Sequence, residues 1–412
     1  MANGNEAGNL KIQITDADYG GHPIPNAAVE VAEAGNPDNI TGTYVTDENG
    51  MIYDITLSAP PDAYSMEPSD NQPYAEYNLK VRAENFDDKI ISGVQIFSDR
   101  LGIQEISLAR SKNGNIYNPV VIDAHTLWEA YPPKIAENEV KNESETGEIV
   151  LSRVVIPETI VVHDGTPSDT SAKDYYVPYK DYIKNVASNE IYATWPDAAL
   201  RANILAIMSF TLNRVYTEWY RGKGYDFTIT SSTAFDQKWI YGKTYYENIS
   251  QIVDEQFSNY LSKPNVKQPL FTQYCDGKRV TCPNWMSQWG SKSLADDGLS
   301  AIDILRYYYG SSIYINTAET ISGIPASYPG DLTIGTSGQK VLQLQEQLNR
   351  IGENYPAIPE ITEDGIYGKA TAAAVSAFQR IFNLPVTGVT DYATWYKISQ
   401  IYVGVTKIAE NI

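Results

Sequence analysis

Histidine and cysteine are the scarcest of the chemistry-bearing residues, with three and two among 412 positions. His22, His125 and His163 stand far apart, and none lies near Cys275 and Cys282, so no metal-ligand spacing is present. Neither a metal nor a cofactor is expected. No stretch reaches the roughly 18 consecutive apolar residues of a membrane-spanning helix. The opening residues, Met1-Ala2-Asn3-Gly4-Asn5-Glu6, lack the basic start and apolar run of a secretory signal, so synthesis in the cytoplasm is the expectation. Positive charge is short as well. Thirty-one Lys and Arg face 51 Asp and Glu, a net −20, which argues against nucleic acid as a partner.

What is present divides into regions. Residues 1–174 hold 11 Lys and Arg against 29 Asp and Glu, residues 175–320 hold 14 of each, and residues 321–412 hold 6 against 8. The acidity belongs to the front, and a chain of this length exceeds a single core. Tyrosine outnumbers phenylalanine 31 to 9, which suits half-buried strands and interfaces, and also sugar-binding surfaces.

Residues 1–110 read as strands. Leu10-Lys11-Ile12-Gln13-Ile14 alternates with period two, as do Ala28–Val31, Gly42–Thr46, Tyr77–Val81 and Ile103–Leu108. Asn49-Gly50 supplies a hairpin signal, and the pattern predicts a small antiparallel β-sandwich. Pro25-Asn26-Ala27, Val29 and Thr46-Asp47-Glu48-Asn49-Gly50 together resemble the carboxypeptidase regulatory-like (transthyretin-like) domain, which implies a structural or adhesive module able to meet a protein partner. Residues 111–174 read as an acidic linker, most clearly at 137–148, with strands leading into the next region. Residues 175–320 predict an α+β domain with helices at about 179–191, 197–221, 287–296 and 300–308, strands and loops lying between. The Pro/Gly/Ser segment 321–330 reads as a linker ahead of a final helical domain at 331–412.

In that last domain Val341, Leu344 and Leu348 fall at helical spacing, as do Thr371, Ala374, Val375 and Phe378. Asp364-Gly365 and Gly368 set tight turns before the second helix. With Gln345, Gln379, Gly388 and Thr394, the string resembles the three-helix peptidoglycan-binding domain and implies binding to wall glycan or peptide stems.

In the central region, Ile183, Val186, Ala187 and Glu190 share one face of the first helix, which puts a carboxylate on a stripe made for burial. Desolvation of a carboxyl favours its protonated form, the form a general acid requires. A salt bridge to Arg201 or Arg214 is the alternative for Glu190. Around it stand Val177-Pro178-Tyr179-Lys180-Asp181-Tyr182-Ile183, Trp195-Pro196-Asp197, Asp236-Gln237, Tyr241-Gly242, Met286-Ser287-Gln288-Trp289-Gly290-Ser291 and Ile304–Gly310. This order resembles the stage II sporulation protein D (SpoIID/LytB) family over about 175–312. The resemblance implies a lytic transglycosylase acting on peptide-stripped glycan strands, with Glu190 as its acid and Tyr241, Gln288, Trp289, Asp236 and Gln237 as groove residues, the alternatives being a core position for Trp289 and a cap or brace of a strand end for Asp236-Gln237. Asp236 or Asp276 would serve as second carboxylate if the reaction were hydrolysis. Two positions depart from the family: Met208 stands at its arginine, and Thr281-Cys282-Pro283-Asn284-Trp285 replaces its Gly-His-Gly stretch.

Asp276-Gly277 after Cys275 signals a turn that a Cys275–Cys282 disulfide would brace, free thiols being the alternative. The chain thus reads as a multidomain cell-wall protein, acting at the wall or spore envelope after release or non-classical export. The expected activity is non-hydrolytic cleavage of glycan strands. The alternative is a non-catalytic wall-binding adaptor, which the two departures favour.

Overall fold

The computed structural model describes residues 6–18, 21–36, 38–111, 118–140, 153–323 and 327–409. Most of the acidic 137–148 segment lies outside the described residues.

The N-terminal region is built from two sheets. One runs in the order Tyr245–Tyr246, Leu101–Leu108, Glu6–Asp16, Met51–Ala59. The other runs Ile40–Val45, Ala28–Glu33, Ala75–Arg82, Lys89–Ile96, Asn118–Val121. Alternate side chains turn inward, and Leu10, Ile12, Ile14, Ile55 and Ile106 share one core with Val29, Val31, Leu79, Val81 and Val94. The alternation sorted faces correctly but not partners. Glu6–Asp16 pairs parallel with Leu101–Leu108, and Lys89–Ile96 pairs parallel with Asn118–Val121, so the pairing is mixed where purely antiparallel sheets were expected. The edge strand Tyr245–Tyr246 comes from the central region. At Gly93 φ is +85°, and an added Cβ would stand 2.3 Å from the Ile122 carbonyl, so only glycine lets the chain pass there.

The mixed α/β middle is organised about the helix Asp197–Tyr216, whose residues are buried nearly all round. It ends before the expected residue 221 because Glu218 adopts a left-handed φ of 50°. Beside it lie the helices Tyr179–Glu190, Gln288–Asp296 and Ala301–Tyr309, together with a three-stranded sheet, Asp174–Pro178, Thr159–His163 and Ile229–Thr230. A further helix, Glu247–Gln256, occupies a stretch expected to hold only strands and loops. Its Asp254 is buried between Lys180 and Lys184, at 2.9 and 2.6 Å, and the two ammonium groups hold its carboxyl far below the usual carboxylate range against the effect of burial. His163 is packed against Phe227 at 4.4 Å and meets Asp174 at 2.7 Å.

The C-terminal helices are Gln339–Gly352, Lys369–Ile381 and Tyr392–Ala409. Their motif glutamines stitch the turns. Gln345 accepts from the Gly365 N–H at 2.8 Å and donates to the Ile366 carbonyl at 3.1 Å. Gln379 accepts from Thr387 and Gly388, both at 2.9 Å. This region is docked, not hanging. Lys11 of the first sheet donates to the Arg380 and Ile381 carbonyls at 2.9 and 3.1 Å and to the Asn383 side chain at 2.7 Å, capping a helix C-terminus across 370 residues of chain. Tyr355 donates to the Gly21 carbonyl, and Phe257 packs on Tyr392 and Tyr396. Among the described residues no helix is long and apolar enough to cross a membrane.

Lys243, donating to the buried Gln95 at the seam between sheet and middle region, is pushed down to about 7 by burial, with Lys238 adding and Glu76 opposing. Its folded value lies below the unfolded 10.5, so the unfolded chain binds more protons between the two and stability rises with pH through that window. Thermal unfolding of the parent should therefore gain on that of Lys243→Met as pH rises from about 7 to about 10. Lys11→Met removes a three-bond cap and should cost about 1–3 kcal/mol of docking, read as faster proteolysis at 321–330 with the C-terminal helices still formed by amide exchange.

Candidate functional site

Glu190 is the last residue of the Tyr179–Glu190 helix, which starts after Pro178 and buries every residue except Asp181. A helix buried this completely must satisfy its polar side chains internally. Asn185 does so by bracketing Ile240, accepting its N–H at 3.1 Å and donating to its carbonyl at 2.8 Å. That aligns the segment 236–241 along the helix and delivers the Lys238 N–H to Glu190 Oε1 at 2.7 Å. Gln288, first residue of its own helix, donates from Nε2 to Glu190 Oε2 at 2.9 Å and to the Glu190 carbonyl at 2.7 Å. The carboxylate is 6% exposed and held by two neutral donors. Neither arginine considered from the sequence pairs with it. Arg201 meets Asp197 and Glu255, and Arg214 meets Asp236 and Glu137.

Glu190 and Gln288 face a cavity of about 40 Å³ shared with His125, Tyr131, Lys134, Tyr274 and Asp276. One wall is the loop closed by the Cys275–Cys282 disulfide, whose flanking strands Tyr274–Cys275 and Met286–Ser287 pair parallel. Asp276 Oδ1 fixes its turn by accepting the N–H groups of Lys278, Arg279 and Val280 at 2.6, 2.9 and 3.1 Å. Gly277 has φ +76°, and an added Cβ would fall 1.9 Å from Ser287 Oγ. The opposite wall is residues 125–134, a non-helical strap that no periodicity in the sequence marks. Its one signal was Pro132-Pro133, which excludes a helix there.

The other residues singled out from the sequence have different surroundings. Asp236 is fully buried, bonded to Arg214 at 2.7 Å, Tyr220 at 2.6 Å and Thr230 at 2.7 Å. Gln237, equally buried, accepts from Tyr182 and Thr211 at 3.1 and 2.8 Å. Both brace the 236–241 segment and have no surface for a ligand. Trp289 is core, 5.0 Å from Trp195 between ring centroids, with its N–H on the Leu127 carbonyl. Tyr241 is exposed but stacks on Tyr175 at 4.9 Å in a separate groove of about 320 Å³ that includes Trp239 and Asn185. Met208 is fully buried in the long helix. No group of three or more His, Cys, Asp or Glu among the described residues is placed to hold a metal.

Comparison with known proteins divides along the same lines. Residues 337–398 match the peptidoglycan binding domain family. The C-terminal region is similar to a peptidoglycan-binding domain. Residues 169–261, which include Glu190 and the whole 236–241 segment, match the stage II sporulation protein family. A curated relative, the zinc D-Ala-D-Ala carboxypeptidase of Streptomyces albus G, is 37% identical over 76 residues, 18% of this chain and 28% of that protein. The chain therefore spans about 28% of the length of that relative. Among solved structures, the N-terminal domain of SleB is 28% identical over 19% of this chain and 99% of its own, with a TM-score of 0.17. The 5-hydroxyisourate hydrolase of Klebsiella pneumoniae is 19% identical over 27% of this chain and 100% of its own, TM-score 0.17. Transthyretin from Sparus aurata is 15% identical over 24% and 89%, TM-score 0.15.

Gln288→Leu strips Glu190 of one donor while leaving it buried, and should lower unfolding stability by about 1–3 kcal/mol, read from the urea midpoint.

Proposed function

We propose that this chain cleaves peptidoglycan glycan strands without water, as a lytic transglycosylase with Glu190 as acid and then base. The observation that carries the reading is one buried carboxylate at a cavity whose other carboxylate, Asp276, has an oxygen already accepting three backbone N–H groups. Hydrolysis by a carboxylate pair needs a second free group, and Asp236 is tied to Arg214. In the single-carboxylate route, protonated Glu190 gives its proton to the glycosidic oxygen as the C1–O bond breaks. The C6 hydroxyl of the same sugar then bonds to C1 and returns its proton to Glu190. Charge and atoms balance, and the product ends in a 1,6-anhydro ring. The C-terminal domain would hold the wall while the paired N-terminal sheets, acting as a sandwich module, offer a surface to a protein partner. The site of action would be the wall or spore envelope.

A second reading, a non-catalytic wall adaptor, is favoured by the buried Met208 at the family's arginine position and by a cavity smaller than a sugar ring. Mass spectrometry of peptide-free strands separates the two. The parent should release anhydro-ended products, and Glu190→Gln should slow their release at least about a hundredfold. Equal release by both proteins would remove Glu190 from the chemistry, and strands captured intact by the parent would establish the adaptor.

A further inference from the structure

The strap lies outside the segment matched to the stage II sporulation protein family, yet it supplies five of the residues that line the Glu190 cavity: His125, Leu127, Tyr131, Pro132 and Lys134. It is pinned at both ends. The Tyr74 hydroxyl meets the backbone of His125, and Leu127 N–H donates to the Tyr192 hydroxyl at 2.8 Å. Further along, Ile135 N–H donates to the Ala234 carbonyl at 2.7 Å, and Gln273 Nε2 to the Ile135 carbonyl at 2.7 Å. A segment held this firmly is a fixed wall.

Two of its side chains have bonding capacity left over. His125 is 5% exposed, and its Nδ1 lies 2.8 Å from the Tyr131 hydroxyl. That hydroxyl has one proton, with the Thr126 carbonyl at 2.7 Å and the Glu129 carboxylate at 2.9 Å to receive it, so it accepts from Nδ1–H. His125 Nε2 is then a lone-pair acceptor, and it is buried without a hydrogen-bond partner among the described residues. Burial, reinforced by Lys238 and Lys243, holds the ring well below its usual range and keeps it neutral. Lys134 is the one Lys or Arg lining the cavity. Its Nζ donates to the Asp236 carbonyl at 2.7 Å and lies 4.4 Å from the Tyr274 ring centroid; burial pulls it below the usual lysine range, and Glu190 and Asp236 oppose that by favouring the ammonium form. An ammonium and a buried imidazole acceptor are what an anionic, hydroxyl-bearing ligand requires. The cavity, about 40 Å³, has room for roughly three waters, which suits a carboxylate substituent with its sugar ring across the mouth.

We propose that the strap is part of the glycan site: His125 Nε2 and Lys134 Nζ seat a muramic acid residue beside Glu190, Lys134 binding its free lactyl carboxylate. The inference rests on the reading of Glu190 as the glycan-cleaving acid. It supplies a physical basis for the preference for peptide-stripped strands that the resemblance implies, because a stem converts that carboxylate into a neutral amide.

The test uses the full chain carrying Glu190→Gln, labelled with ¹⁵N-histidine, so that three imidazoles report. It is titrated with a peptide-free tetrasaccharide, either with free carboxylates or with the same groups amidated. The His125 Nε2 signal should move while those of His22 and His163 stay. The amidated ligand should need at least about tenfold higher concentration. Lys134→Met should abolish that preference and Lys134→Arg restore it, thermal unfolding confirming that both variants are folded. A static His125 signal under a saturating tetrasaccharide, or equal titration by both ligands, overturns the proposal. Cleavage of the tetrasaccharide by the Glu190→Gln protein would instead sink the role of Glu190, and the two failures are told apart in the same sample.

Discussion

Arg214 is the pin on which the middle of this molecule turns. It has no exposed side-chain surface, and its guanidinium is shared between Asp236 at 2.7 Å and a two-pronged contact with Glu137 at 2.7 and 3.0 Å. A buried charge of this kind is costly unless fully partnered, and losing either carboxylate would leave some of its N–H groups unpaired, at about 1–3 kcal/mol. Asp236 starts the segment that brings the Lys238 N–H to Glu190, and Glu137 follows directly on the strap that walls the same cavity. One arginine on the central helix therefore sets the positions of both elements facing Glu190.

The same economy of long-range contacts joins the three regions. The first sheet borrows its edge strand from the middle, and Lys11 of that sheet caps a helix of the C-terminal domain. Phe257 and Ser258 meet Tyr392 of that domain from the other side. Each region covers part of the others, so the acidic N-terminal third is structural support for the rest and not an appended module.

Legibility from sequence followed the range of the interactions involved. The C-terminal helices could be read because their apolar residues repeat within each helix, and the strands because alternation is local. Glu190 was legible for the same reason, its neighbours being three, four and seven residues away. The strap was not, since its fold comes from Tyr74, Tyr192, Ala234 and Gln273, distant in the chain. Motif residues were legible as important but not in kind. Asp236-Gln237 and Trp289 are buried in the frame, and only burial distinguishes a brace from a contact. The helix Glu247–Gln256 carries Ile249, Ile252 and Val253 at helical spacing, but over ten residues that is a weak signal among so many polar side chains.

The Lys11 cap has a consequence for reach. A binding domain on a slack tether lets its partner sample every point within the tether's length, at an effective concentration that falls as the tether grows. A domain clamped to the body offers one distance and one orientation only. Under the proposed function, such a molecule gripping a strand at one place would present its cavity at a set interval along the polymer, as a caliper does, and the spacing between grip and cut would be a property of the fold.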